Sequence, residues 1–317
     1  MASASALPPS GEVAWHGPSG AGDPGRPVVI LVHGRGQLPG DSAGVRAEWS
    51  RVLRTATAEL AGAELLQDGD VWLAWYADAL DPLAPAACAG ARDSLKTAGS
   101  GTAEDQSLRG VFAAVGEGLS GALDLFDGYA RDEVRALAGD LLFLGDPVRR
   151  CSAERQLAVA LVRASEQGRP VILVAHSFGS LLSYGYLARQ APGEPPVAGV
   201  ERFVTIGSLL GAPGARRLLL ADTASRPSVP AGVGGWTNIV DVRDALAYPI
   251  EFGADTVGGR VQNLTTTSSA PGADPHYVLR YLRDPVTVRT VARAWCEAHE
   301  AGRGRGEPVA CAAVVAR

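Results

Sequence analysis

This sequence lacks the features of a nucleic-acid-binding protein and of a protein that spans a membrane. It has 29 lysines and arginines against 34 aspartates and glutamates, which gives a formal net charge of −5. The basic residues are scattered and their one dense cluster, at 303–305, is short, so we expect no nucleic-acid partner. No stretch approaches the roughly 20 consecutive apolar residues of a transmembrane helix, and we expect no transmembrane segment.

The sequence also lacks the signals of export and of metal binding. Its N-terminus has neither a basic start nor a continuous apolar core, which is not typical of a signal peptide. The four cysteines (Cys88, Cys151, Cys296 and Cys311) include no Cys-x-x-Cys pair, and no histidine pair has metal-ligand spacing. We therefore expect a cytoplasmic protein with reduced thiols and no metal site. A Cys296–Cys311 disulfide is the alternative, and it would require export by another route.

The chain does contain apolar segments that alternate with helical ones. Hydrophobic residues make up 46% of its 317 residues, enough to bury a core. Strands are predicted at 27–33, 71–76, 171–175, 202–207 and 236–240, with a weaker one near 260–264. Helices are predicted at about 42–62, 180–190 and 284–300. This alternation predicts an α/β fold with a mostly parallel, doubly wound sheet.

The most informative motif is Val-Ile-Leu-Val-Ala-His-Ser-Phe-Gly at 171–179. An apolar strand leads directly into Ser177 and a helical stretch follows at once, which is typical of the strand–turn–helix "nucleophile elbow". Such a turn is tight, so the residues two before and two after the serine must be small. Those residues are Ala175 and Gly179, and alanine stands where glycine is usual.

A serine nucleophile needs a base to remove its proton. In proteins built on this elbow the order along the chain is serine, then acid, then histidine, and only His276 and His299 follow Ser177. His299 lies in a charged region beyond the apolar face of the last helix, and we expect it to be solvated. We predict that His276, in a loop after the last strand, is the base, and that His176 faces away from the site.

Two aspartates compete for the role of the acid that orients this base. Both Asp241 and Asp244 follow the strand at 236–240. Asp241 abuts the strand and could instead cap the turn with its side chain. Asp244 lies deeper in the loop and could reach the histidine, so position favours Asp244, with Asp241 as the alternative and Asp255 as a distant third.

An oxyanion hole is expected from two backbone N–H groups. One belongs to Phe178, directly after the nucleophile. The other belongs to Arg35, in the loop His33-Gly-Arg-Gly36 that follows the first strand. We assign His33 a structural role, in which it braces this loop through hydrogen bonds, and Gly34 belongs to the same turn.

These motifs resemble those of bacterial serine α/β-hydrolases of the esterase or lipase type, over about residues 27–298. Ala-His-Ser-Phe-Gly is similar to the elbow of small bacterial lipases in which alanine replaces the first glycine. The runs Phe203–Ser208 and Trp236–Asp244, with His276-Tyr277, are similar to a group of bacterial α/β-hydrolases described as esterases or serine peptidases. The chain departs from that group at Leu209, where a proline is familiar.

The resemblance implies an α/β-hydrolase fold and catalytic roles for Ser177, Asp244 and His276, and it favours Asp244 over Asp241. We divide the chain into an irregular N-terminal segment (1–26), an α/β-hydrolase domain (27–300) and a C-terminal tail (301–317). A helical insertion is predicted at 79–150. Its first helix shows spacings of three and four between Leu108 and Phe126, and its second lies at about 131–144. The insertion either packs on the sheet or forms a cap over the active site.

The function expected from these residues is hydrolysis of carboxylic esters through an acyl-enzyme intermediate. The substrate would be a small-molecule acyl ester with an apolar portion, and the chemistry needs no cofactor and no metal. Acyl transfer, thioester hydrolysis or cyclisation by the same triad is the alternative, since a cap that excludes water would pass the acyl group to another acceptor. A third hypothesis is a hydrolase fold that binds a ligand without catalysis.

Overall fold

The computed structural model describes residues 25–35, 37, 40–80, 147–189, 199–211, 229–251, 261–267, 273–303 and 309–315, with single positions 17 and 23. The two helices predicted within the insertion lie outside the described residues. So do Asp255, Gly36 and most of the segment 1–26.

A six-stranded sheet forms the centre of the described structure. Its strands are β1 (Val28–Val32), β2 (Val71–Ala74), β3 (Val171–His176), β4 (Val200–Ile206), β5 (Trp236–Asp241) and β6 (Val261–Thr266). Their order is β2-β1-β3-β4-β5-β6, and every neighbouring pair is parallel. This confirms the predicted α/β class and its parallel sheet.

Six α-helices accompany the sheet in the described part of the chain. They are α1 (Ser42–Ala61), α2 (Pro147–Glu166), α3 (Phe178–Ala188), α4 (Val278–Arg283), α5 (Pro285–Arg303) and α6 (Val309–Val315). Helix α1 is followed by Gly62, whose φ of 72° is a left-handed conformation that glycine adopts without steric cost. Helices α2 and α6 were not among the predicted elements.

Helices cover both faces of the sheet, which explains the uninterrupted apolar strands. In β1, Val28, Ile30 and Val32 face a core built with α2 and α3. Val29 and Leu31 face the opposite core, built with α1, α4, α5 and α6. A strand buried on both faces is apolar along nearly its whole length, so the sequence of β1 shows no alternation.

A buried ionic cluster braces the amino-terminal edge of the sheet. The carboxylate of Asp70 pairs with Arg169 (Nη2 to Oδ1, 2.6 Å) and with Arg26 (Nη2 to Oδ2, 2.5 Å). Arg169 also donates to the backbone oxygens of Arg26, Pro27 and Gly69. The side chains of Arg169 and Asp70 are 0% and 3% exposed, so each charge depends on the other for its stabilisation.

Replacing Asp70 with asparagine is expected to lower the free energy of unfolding by about 3–5 kcal/mol, because it leaves a buried guanidinium without its counter-charge. Urea unfolding followed by circular dichroism measures this loss. Asp68→Asn is the matched control, since its 52%-exposed carboxylate pairs with Arg46 at the surface and is expected to contribute less than about 1 kcal/mol. Equal losses for the two variants would contradict the role of the buried cluster.

The expectation of reduced thiols is wrong. Cys296 of α5 and Cys311 of α6 form a disulfide with a Cα–Cα distance of 5.6 Å, and Cys151 of α2 is also disulfide-bonded. The first bond forms because α6 packs back against α5. This bond is the alternative that the sequence offered for these two cysteines, which are 15 residues apart.

The expectation that His299 is solvated is also wrong. Helix α5 continues to Arg303, and His299 stands four residues after Trp295 on the same helical face. The side chain is buried and its ring stacks on that of Trp295, with centroids 5.1 Å apart.

Among the described helices, none combines the length and apolarity needed to cross a membrane.

Candidate active site

Ser177 occupies the turn between β3 and α3. Its φ of 51° and ψ of −124° make it the one non-glycine residue with positive φ in the described part of the chain. A residue in such a sparsely populated conformation carries about 1–3 kcal/mol of strain. Hydrogen bonds hold it there: Ser177 N–H donates to Ile206 O (3.1 Å), and the N–H and hydroxyl of Ser180 both donate to Ser177 O.

Close backbone contacts explain the small residues around this turn. A Cβ added at Gly179 would lie 2.3 Å from the carbonyl oxygen of His33, so α3 can begin against the end of β1 only with glycine there. A Cβ at Gly34 would lie 2.9 Å from the Cβ of Ser177. Ala175 lies inside β3, fully buried between Val32 and Thr205 of the neighbouring strands.

The structure brings Ser177, His276 and Asp244 together in one hydrogen-bonded chain. His276 Nε2 lies 2.8 Å from Ser177 Oγ, and His276 Nδ1 lies 2.8 Å from Asp244 Oδ2. The three residues follow the carboxyl ends of β3, β5 and β6, which meet at one edge of a parallel sheet. The side chain of Asp244 is fully buried, whereas that of His276 is 21% exposed and accessible to a ligand.

The two candidate acids have different contacts. Asp241, the last residue of β5, accepts a hydrogen bond from Arg243 N–H at Oδ1 (2.9 Å), which is the turn-capping alternative considered for it. Asp244 accepts from Leu246 N–H at Oδ1 (3.0 Å) and directs Oδ2 to His276. Asp244 is therefore the aspartate that contacts the histidine.

Two asparagines anchor the loop that carries Asp244. Asn238 of β5 donates to Tyr248 O (3.0 Å). Asn263 of β6 donates to Ile250 O (2.9 Å) and accepts from Ile250 N–H (2.9 Å). Since Asn238 also donates to Asn263 (2.9 Å), the far end of the loop is tied to both strands by one network.

His33 connects the loop after β1 to the segment after β2. The His33 ring stacks on Tyr76 with centroids 3.9 Å apart. Its Nδ1–H donates to Gly34 O (2.7 Å), and its Nε2 accepts from Tyr76 N–H (3.0 Å). Burial lowers the pKa of His33 to about 4, which keeps the ring neutral and suits this pair of hydrogen bonds.

The predicted oxyanion donors, Phe178 and Arg35, lie on the two segments that contact Ser177. Phe178 is the first residue of α3. Arg35 follows Gly34, whose backbone passes against the side chain of Ser177. Their role as donors stays a prediction.

Tyr281 is a neighbour of the triad that sequence reasoning missed. Its hydroxyl donates to Asp244 Oδ2 (2.7 Å) and accepts from Asp241 N–H (3.1 Å). Burial, with the nearby Asp244 carboxylate as a second cause, raises the pKa of Tyr281 far above its ordinary value, so the phenol keeps its proton. It is the last aromatic of His-Tyr-Val-Leu-Arg-Tyr, a run with no feature that singles it out.

The expectation that His176 faces away from the site is wrong. Its Nε2 donates to the carbonyl oxygen of His276 (2.9 Å), and the two rings lie 4.8 Å apart. Burial lowers the pKa of His176 well below its usual value, and the neighbouring His276 adds to that effect. A neutral His176 therefore supports the backbone that carries His276.

No group of three or more potential ligands that could hold a metal ion occurs among the described residues. The arrangement instead offers a hydroxyl, an imidazole and a carboxylate in hydrogen-bond sequence, which is the geometry of an activated nucleophile.

Comparison of the chain with protein-family models, with curated proteins and with solved structures finds no match.

Proposed function

We propose that this chain is a serine hydrolase with an α/β-hydrolase fold that cleaves carboxylic esters. The observation that carries the proposal is the hydrogen-bonded chain from Ser177 Oγ through His276 to Asp244, with 2.8 Å at each step. The chain order serine, acid, histidine agrees with that fold. The strained elbow at Ser177 supports it further, since such outliers cluster at active sites.

In the proposed mechanism, His276 Nε2 removes the Ser177 proton as Oγ attacks the ester carbonyl carbon. The N–H groups of Phe178 and Arg35 donate to the oxyanion of the tetrahedral intermediate. His276 then gives the proton to the departing alkoxide, and an acyl-serine remains. Water, deprotonated by the same histidine, attacks the acyl carbon, and His276 returns the proton to Ser177 Oγ as the acid departs. Asp244 holds the Nδ1–H tautomer and stabilises the imidazolium.

The proposed substrate is a small acyl ester with an apolar portion. Two exposed apolar side chains flank the triad along the chain. Val242, two residues before Asp244, is 60% exposed, and Tyr277, directly after His276, is 49% exposed. Exposed apolar side chains on the segments that carry the acid and the base offer contact area to an apolar ligand.

The disulfides indicate the kind of cellular compartment in which the protein functions. Disulfides persist in oxidising compartments and are rare in the cytosol. The Cys296–Cys311 bond therefore favours an oxidising location over the cytoplasmic one expected from the sequence. Mass spectrometry of protein alkylated without reduction, taken from its native host, would test this.

Labelling by a fluorophosphonate probe tests the proposed function. Wild type is expected to be labelled covalently at Ser177, because the probe's phosphorus accepts the activated hydroxyl and its fluoride leaves. Ser177→Ala is expected to show no labelling. Ser183→Ala, which removes another buried hydroxyl of α3, is the control and should be labelled like wild type. Folded wild type without a label at Ser177 would refute the proposal.

A further inference from the structure

The hydroxyl of Tyr281 lies between the two aspartates that competed for the role of acid. The residue belongs to α4 and is 2% exposed. Its oxygen is 3.1 Å from Asp241 N and 2.7 Å from Asp244 Oδ2. It therefore links the end of β5 to the loop acid from a third element of the fold.

The direction of the hydroxyl hydrogen follows from these two contacts. The backbone N–H of Asp241 can only donate, so the phenol oxygen must accept from it. The phenol's own hydrogen is then available to Asp244, which accepts it at Oδ2. The same Oδ2 accepts from His276 Nδ1–H, and Oδ1 accepts from Leu246 N–H.

We propose that Tyr281 is a positioning residue of the triad, which aims Asp244 Oδ2 at His276 and shares that oxygen's negative charge. The inference rests on the proposed function. Tyr281 does not touch Ser177 in the hydrogen-bond network and approaches the reaction only through the acid. Its charge-assisted hydrogen bond strengthens the orientation that loop contacts alone would give.

Removal of this hydroxyl has two consequences. Asp244 loses a donor that fixes the position of Oδ2, so the ring of His276 is oriented less precisely. The negative charge on Asp244 Oδ2 then acts more strongly on its remaining donor, His276 Nδ1–H, which favours the imidazolium form of His276 over the neutral imidazole. The groups that face the pair are Tyr248 of the acid loop, Asp241 of β5 with its partner Arg243, His176 of β3, Tyr281 itself, and Asp274, whose carboxylate accepts from His276 N–H.

The test compares Tyr281→Phe with wild type on a short p-nitrophenyl ester across pH. We expect kcat to fall about tenfold with KM unchanged, because the ring is buried behind the acid. The midpoint of the acidic limb of kcat/KM is expected to rise by about half a pH unit. Tyr184→Phe is the matched control, because it removes the hydroxyl of a tyrosine that is 1% exposed and packs on Trp236. Its pH profile should be that of wild type.

Proton NMR provides a measurement that needs no substrate. The low-field resonance of the His276 Nδ1–H, assigned by its absence from His276→Gln, should move further downfield in Tyr281→Phe as the remaining hydrogen bond shortens. If Tyr281→Phe does not fold, 3-fluorotyrosine at position 281 takes its place. It keeps the ring and makes the hydroxyl a stronger donor, so the resonance and the acidic midpoint should shift in the opposite direction.

The positioning role and the proposed function fail in distinguishable ways. A folded Tyr281→Phe with the wild-type midpoint and resonance overturns the positioning role, while Ser177 labelling still supports the hydrolase. If wild type is not labelled and turns over no ester, the proposed function fails. The resonance shift then still decides whether Tyr281 controls the Asp244–His276 hydrogen bond.

Discussion

Replacing His276 with glutamine is expected to lower kcat for a short p-nitrophenyl ester by about 10⁶-fold, the effect of removing the base from a serine triad. Glutamine keeps a polar side chain of similar reach, but it cannot take the Ser177 proton across the 2.8 Å hydrogen bond. Steady-state kinetics, with circular dichroism to verify the fold, measure the loss.

The matched control for this substitution is His299→Gln. His299 is the other histidine that follows Ser177 in the chain, and it is buried against Trp295. We expect His299→Gln to lower stability and to leave kcat unchanged. A folded His276→Gln that keeps more than about a hundredth of wild-type kcat would show that another group acts as the base.

The second large effect is expected from Asp244→Asn, which should lower kcat by about 10⁴-fold. The amide can donate where the carboxylate only accepts, so it favours the tautomer of His276 that places the proton on Nε2 and blocks attack by Ser177. This substitution preserves shape and changes charge and hydrogen-bond direction.

Asp241→Asn provides the comparison between the two candidate acids. The amide oxygen can still accept from Arg243 N–H and cap the turn. We expect kcat to fall less than tenfold, because the Asp241 carboxylate accepts from Arg243 N–H, whereas Asp244 holds His276 Nδ1. Comparable losses in the two variants would contradict the assignment of Asp244 as the acid.

The strands and the order of the triad were predictable because their causes are local. A strand buried on both faces is apolar over nearly its whole length, as β1 and residues 171–175 of β3 are, and such runs are visible without a structure. The close approach of α3 to β1 likewise appears in the sequence as Gly179. The parallel sheet then brings loops at 177, 244 and 276 to one edge.

What could not be predicted depends on packing between distant elements. Tyr281 reaches Asp244 because α4 lies beside the end of β5, and nothing local marks that residue. His176 contacts His276 across 100 residues of chain. The sequence offered the Cys296–Cys311 disulfide as an alternative, but not the packing of α6 against α5 that forms it.

The conformation of Ser177 has a consequence for how selection acts on this chain. With a φ of 51°, position 177 would accommodate glycine without the steric penalty that serine suffers. A chain with glycine there would avoid this strain and would lose the hydroxyl that we propose as the nucleophile. Backbone strain alone therefore disfavours the residue that is present, and under the proposed function serine is retained for its chemistry at a cost in stability.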